Sequence, residues 1–173
     1  MIQLRPTVAG DLPDLLGWVG SEAEMVLWSG PTFSWPLDLE QLGSYLTERP
    51  AASRLVWTAF DYVGPAPVGH VGLALQDNGN TGRLGRLLVA PNARHLGYGR
   101  AIAQAAMTAG FNETTIEVMT LGVYRHNTIA RRLYEQLGFK TTLIVENSVT
   151  IDGEPWDNIE MRLPRPPVLM IKP

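Results

Sequence analysis

The hydrophobic pattern of this chain predicts a mixed α/β domain: one mostly antiparallel central sheet of six or seven strands, flanked by about four helices. Three observations carry that prediction. Apolar stripes at helical spacing occupy the first fifty residues, and from Arg54 the period drops to two over three successive strands joined by turns. From Gly99 onward, helices and strands then alternate to the end.

Each element can be read in order. Ile2 and Leu4 alternate with polar neighbours until Pro6 stops a short strand. Asp11 is placed to cap a helix with Pro13 in its first turn and Leu12, Leu15, Leu16 and Val19 as its stripe. The aromatic, turn-rich run from Trp28 to Pro36 has no period and reads as a loop. Asp38 and Gln41 form a capping-box pattern, and Leu39, Leu42 and Leu46 follow at helical spacing. Strands are expected over 54–62 and 67–76. A hairpin turn at Asp77-Asn78-Gly79-Asn80 leads to a further strand over 82–90.

Next come a helix over 99–112, with Ile102, Ala105, Ala106 and Ala109 on one face, a strand over 115–123 and a helix over 128–137. Strands over 140–149 and 156–163 close the fold. Residues 1–163 are thus expected to be a single domain, and 164–173 a proline-rich tail that leaves it as an extended segment. In that tail Val168-Leu169-Met170-Ile171 is apolar enough to cover its own domain or a second copy, which would make a homodimer.

Composition narrows the function. The chain has 173 residues, 45% of them hydrophobic and 18% charged, which supports a core rather than disorder. A formal charge of −3 argues against a nucleic-acid partner. The absence of cysteine excludes disulfides, thiolate–metal sites and a cysteine nucleophile. No apolar run approaches the roughly 20 residues of a membrane span, and the start lacks a signal-peptide core, so a cytoplasmic protein without a membrane partner is expected.

The loop Arg94-His95-Leu96-Gly97-Tyr98-Gly99, followed by Arg100, stands where a strand runs into a helix. The first turn of a helix leaves N–H groups without partners at the positive end of its dipole, and glycines let an anion approach them closely. A Rossmann fingerprint would need a small residue where Ile102 stands, and a Walker loop would need Gly-Lys-Ser/Thr. Neither is present. Six residues of this kind also suit a plain turn entering a helix.

The second half separates these readings. Asn127-x-x-Ala130-x-x-x-Tyr134-x-x-x-Gly138-Phe139 lies about 30 residues beyond the loop, which is itself preceded by Leu87-Leu88-Val89-Ala90-Pro91. With this ordered set, residues 84–140 resemble the GNAT superfamily of acyl-CoA-dependent N-acetyltransferases, distantly similar to its ribosomal-protein alanine N-acetyltransferase branch. The resemblance implies that the sheet is splayed at the acyl-CoA site. Main-chain groups of Leu87, Leu88 and Val89 would hold the pantetheine arm. The amides of His95, Leu96, Gly97, Tyr98, Gly99 and Arg100, with Arg94, would hold the pyrophosphate. Asn127 would contact the cofactor arm, and it equally suits the N-cap of its helix.

Acetyl-CoA is the implied cosubstrate, with no metal. Tyr134 is the implied general acid toward the CoA thiolate. With Ile129, Leu133 and Leu137 as the core stripe of its helix, Ala130 and Tyr134 form a neighbouring stripe able to present a hydroxyl to a cleft. A phenol near 10 and a thiol near 8.5 are well matched for the transfer.

The base is less legible. The alanine-acetyltransferase branch carries Glu five positions before the Asn, where this chain has Gly122. His70 and Glu24 are the alternatives, and His126 reads as a loop residue. An amine with pKa near 8 is roughly 10% neutral at pH 7, against about 0.04% for lysine, so a weak base suits an α-amine or a low-pKa small-molecule amine. The acceptor is therefore expected to be a small-molecule amine or a protein N-terminus, beside a loop whose Trp28, Phe33 and Trp35 line its pocket or cover the sheet edge. Arg83 and Arg86 would attract an acidic acceptor, although strand alternation turns one of such a pair away. The missing Glu also motivates a non-catalytic acyl-CoA-binding module, and the glycine loop a nucleotide-dependent oxidoreductase.

Overall fold

Asp77, Asn78 and Gly79 take positive φ values of 51°, 55° and 90°, and this turn folds β3 (Pro67–Gln76) back against β4 (Thr81–Val89). β1 (Ile2–Pro6) and β2 (Arg54–Asp61) extend the antiparallel run on one side. On the other lie β5 (Val118–Tyr124), β7 (Glu154–Pro164) and β6 (Lys140–Ile151), giving one seven-stranded sheet in the order β1-β2-β3-β4-β5-β7-β6. This computed structural model describes residues 2–47, 53–62 and 64–166.

Every neighbouring pair is antiparallel except β4 and β5. That parallel pairing covers only Thr81–Arg83 against Val118–Thr120, after which the two strands part. The splay expected of the sheet is present.

Among the described residues there are five α-helices where about four are expected: α1 (Leu12–Gly17), α2 (Glu22–Ser29), α3 (Leu39–Thr47), α4 (Tyr98–Glu113) and α5 (Thr128–Gln136). α2 is the unexpected one, and it takes Trp28 and Ser29 out of the loop. Ser21 caps it, accepting from the Glu24 N–H at 3.2 Å, and Gly30 ends it at φ 65°. Asp11 does not cap α1 through its side chain. Its carboxylate instead accepts from Arg5, the Val8 N–H and the Thr58 hydroxyl, tying the α1 entrance to β1 and β2.

Two buried clusters hold the layers together. Leu73, Leu84, Ile102, Ala106, Ile116, Met119 and Met161 pack α4 onto the sheet, and Tyr134 and Phe139 join them. Leu12, Leu15, Met25, Trp28 and Leu42 pack α1–α3 together, with Tyr124 and Leu88 reaching into that second cluster. Fully burying one such leucine contributes about 1.5–3 kcal/mol. On α5 the face is rotated from expectation: Ile129 is 75% exposed, and Tyr134 is the buried residue.

β4 changes face part-way. Leu84 belongs to the first cluster and Leu88 to the second, although an even spacing should keep them on one side. Arg86 explains this. It takes a φ of 51°, and the β3–β4 register shifts opposite it, so one residue is bulged out and the alternation inverts.

Residues 164 and 165 are tied to the domain. Pro164 is the last residue of β7, and Arg165 donates to the carbonyls of Phe111, Thr114 and Ile116 at the C-terminal end of α4. The apolar segment Val168–Ile171 lies outside the described residues.

β3 approaches α4 closely at Gly69, where a Cβ would stand 2.5 Å from Ile102 Cδ1 and 2.6 Å from the Leu88 carbonyl oxygen. Because a main-chain oxygen cannot swing away, Gly69→Ala should destabilise the protein by about 1–3 kcal/mol. Chemical denaturation reads this directly, and an unchanged midpoint would show that β3 and β4 yield at this position.

Candidate active site

The gap between the parted ends of β4 and β5 opens into a cleft of about 490 Å³, closed at one end by α4 and roofed by α5. Leu87, Leu88, Val89, Arg94, His95, Gly97, Tyr98, Gly99, Arg100, Asn127 and Tyr134 all line it. Sequence positions spread over 48 residues are thus brought to one cavity. Leu96 does not line it; its side chain is 68% exposed, so only its amide is available to a ligand.

The loop is shaped for an anion. His95 and Gly97 take left-handed φ values of 64° and 84°, turning the chain so that Tyr98 begins a 16-residue helix. No side chain caps that helix, so its first-turn amides have no side-chain acceptor. Space beside the Gly97 Cα is open, which makes conformation and not packing the reason for glycine. Arg94 leans toward Glu24 at 3.9 Å and Arg100 donates to Gln136, while the Tyr98 hydroxyl donates to Asp61 and anchors α4 against β2. The residues present therefore fit a diphosphate.

The family model of GNAT acetyltransferases matches residues 22–139. The chain belongs to the GNAT family. It is an acetyl-CoA-dependent N-acetyltransferase. Its fold is similar to that of spermidine N-acetyltransferase from Vibrio cholerae, solved in complex with CoA and spermine, with a TM-score of 0.82, 18% identity and coverage of 94% of this chain and 95% of that one. It is also similar to ribosomal-protein-S18-alanine N-acetyltransferase from Escherichia coli, at a TM-score of 0.72 and 19% identity, over 95% and 94% of the two chains. At such identities the likeness is one of fold.

Within this GNAT cleft the phenol of Tyr134 packs edge-on to Phe139 and takes no hydrogen-bond partner among the described residues. Burial pushes it up to about 12, away from the match with a thiol that an ordinary phenol would have. Asn127 caps α5, its Oδ1 accepting from the Ala130 N–H at 3.1 Å, which leaves its amide nitrogen for a ligand.

The base candidates fare differently. His70 is buried between Trp28 and Tyr45, away from the cleft, and burial followed by the Arg86 charge lowers it to about 3. Glu24 is taken up in accepting from the Gly20 N–H and facing Arg94. His126 packs on Trp156 at 4.4 Å.

At Gly122 a Cβ would meet Arg83 Nη2 at 2.7 Å. Glu160, paired with Gly122 on β7, is joined to Arg83 by two bonds of 2.7 and 2.9 Å. Those bonds hold Glu160 below the usual carboxylate range. Nothing local in the sequence links Arg83 with Glu160; only the sheet order does.

A second cavity of about 450 Å³ adjoins the first, and Trp28, Gly85, Arg86 and Gly122 border both. Of the aromatic residues expected at the acceptor, Trp28 lies at this junction, its indole N–H donating to the Arg86 carbonyl at 2.9 Å. Phe33 stacks on Trp28 at 5.6 Å and lines a neighbouring groove. Trp35 is 42% exposed and lines none of the cavities described, so the structure does not bring it to the site.

Forcing a side chain onto the left-handed residue of the loop costs about 1–2 kcal/mol, so Gly97→Val should weaken CoA binding about tenfold. Calorimetric titration with CoA checks this. An unchanged Kd would mean that these amides do not hold the ligand.

Proposed function

We propose that acyl-CoA lies between β4 and β5, with its pyrophosphate on the amides of residues 95–100 and its arm along Leu87, Leu88, Val89 and Asn127. The thioester then comes to Tyr134, and the acceptor amine enters from the second cavity for direct attack. The observation that supports this best is the parting of the strands after Arg83 and Thr120, which turns main-chain hydrogen-bonding groups toward the cleft.

In the transfer the amine nitrogen forms the C–N bond as the C–S bond breaks, and one amine proton leaves to solvent. Tyr134 serves as a hydrogen-bond donor to the departing thiolate. Complete proton transfer from a phenol near 12 to a thiolate near 8.5 would run uphill by roughly 5 kcal/mol. A fixed donor aimed at developing charge requires no such transfer. Among the described residues no carboxylate lines either cavity, so the amine arrives neutral, which favours acceptors of low pKa.

Tyr134→Phe should lower kcat about a hundredfold while acetyl-CoA KM stays within a few-fold, measured by thiol release. Because the protonated phenol is the working form, its activity is lost only as pH rises through its pKa, so kcat should show no falling limb between pH 8 and 10. A limb near 10 would show that burial does not hold the phenol up, and an unaffected kcat in the variant would remove Tyr134 from this role.

A further inference from the structure

The second cavity is lined by cationic side chains. Arg54, Arg83 and Arg86 line it together with Gln76, Ser148 and Asn158, and among the described residues no acidic side chain does so. Alternation should have sent Arg83 and Arg86 to opposite faces. The bulge at Arg86 inverts the parity and sets both side chains along one cavity.

The three cations are not equivalent. Arg83 is neutralised by Glu160 behind it. Arg54 is held by the Tyr45 carbonyl at 2.8 Å. Arg86 has no carboxylate partner among the described residues: one Nη donates to the Thr32 hydroxyl at 3.2 Å, its Nε is buried without a partner, and the group lies over the Tyr45 and Phe33 rings at 4.7 and 5.9 Å. Arg86 also lines, with Arg54, a neighbouring groove that holds Asp38 and Glu40, and neither carboxylate forms an ion pair with it. An aromatic-backed guanidinium, partly desolvated and without a carboxylate partner among the described residues, is matched to a planar or tetrahedral oxyanion.

We infer that the acceptor amine carries an oxyanion, a carboxylate or a phosphate, which docks on Arg86 in the second cavity. Because Arg86 borders the acyl-CoA cleft as well, amine and anion belong to one small molecule that spans the junction. The inference rests on the acetyl-transfer reading above and narrows its acceptor. It also separates this chain from the spermidine N-acetyltransferase of similar fold, since the Arg86 charge at the junction repels a polycation and attracts an oxyanion.

The test uses the full protein with L-methionine, its uncharged-carboxyl analogue methioninamide, L-glutamate, O-phospho-L-serine and spermidine as probes. Each is measured twice: by thiol release from acetyl-CoA, and by calorimetric binding to the CoA-loaded protein. At least one anionic probe should bind and react at least tenfold better than methioninamide, spermidine should do neither, and the preference should shrink in 0.5 M salt. The methionine, glutamate and phosphoserine arms tell a carboxylate from a phosphate.

Arg86→Gln should abolish the preference chiefly through KM. Arg86→Lys should retain part of it, and matched melting curves for both variants exclude misfolding. Methioninamide or spermidine equalling every anionic probe in binding, or no probe binding at all, overturns the inference. Preferential binding with no thiol release from any probe would sink the acetyl-transfer reading while leaving the anion preference standing.

Discussion

Everything at the site follows from the short pairing between β4 and β5, which covers three residues of each strand. Main-chain N–H and C=O groups along a sheet must find partners, and those turned into a buried gap cost free energy when they do not. An acyl-CoA arm carries amide groups of its own and can take the place of the missing strand. The same parting lets Gly122 face both cavities and sets α5 over the gap, so that Tyr134 is buried and still borders the cleft. On β5, Gly122 leaves room for the Arg83 guanidinium, and the Arg83–Glu160 pair bridges β4 to β7 across the strand between them.

The bulge at Arg86 is the second constraint. By inverting the alternation of β4 it places Leu87 and Val89 on the α4 side and Leu88 on the α1–α3 side. Trp28 on α2 then locks the bulge from outside through its indole N–H. The aromatic group of Trp28, Phe33, Tyr45 and His70 is accordingly a support for two guanidinium groups as much as a wall for a substrate. His70, neutral within it, fits that supporting role better than a role in proton transfer.

How much of this the sequence discloses depends on the range of the forces involved. β3 reads correctly because alternation and its turn residues are local, and α4 because its glycines and apolar face are contiguous. α2 carried a local signal too, Ser21 followed by Glu24 with Gly30 beyond, but the aromatic run overlapping its end masked the period. The α5 stripe was misplaced because Ile129 is apolar yet faces outward, next to the acyl-CoA cleft. The Arg83–Glu160 pair joins residues 77 apart, and the positive φ of Arg86 falls on a residue type that ordinarily avoids it. Neither leaves a mark that periodicity can find, which is why the residues gathered in the cleft beside α4 and α5 are legible and the lining of the second cavity is not.

A crystal structure of the protein with CoA tests the account most directly. The pyrophosphate should sit on the amides of residues 95–100, the pantetheine arm between β4 and β5, and the sulfur within hydrogen-bonding reach of the Tyr134 hydroxyl. CoA bound with its sulfur away from Tyr134, or outside the gap between the two strands, would contradict it.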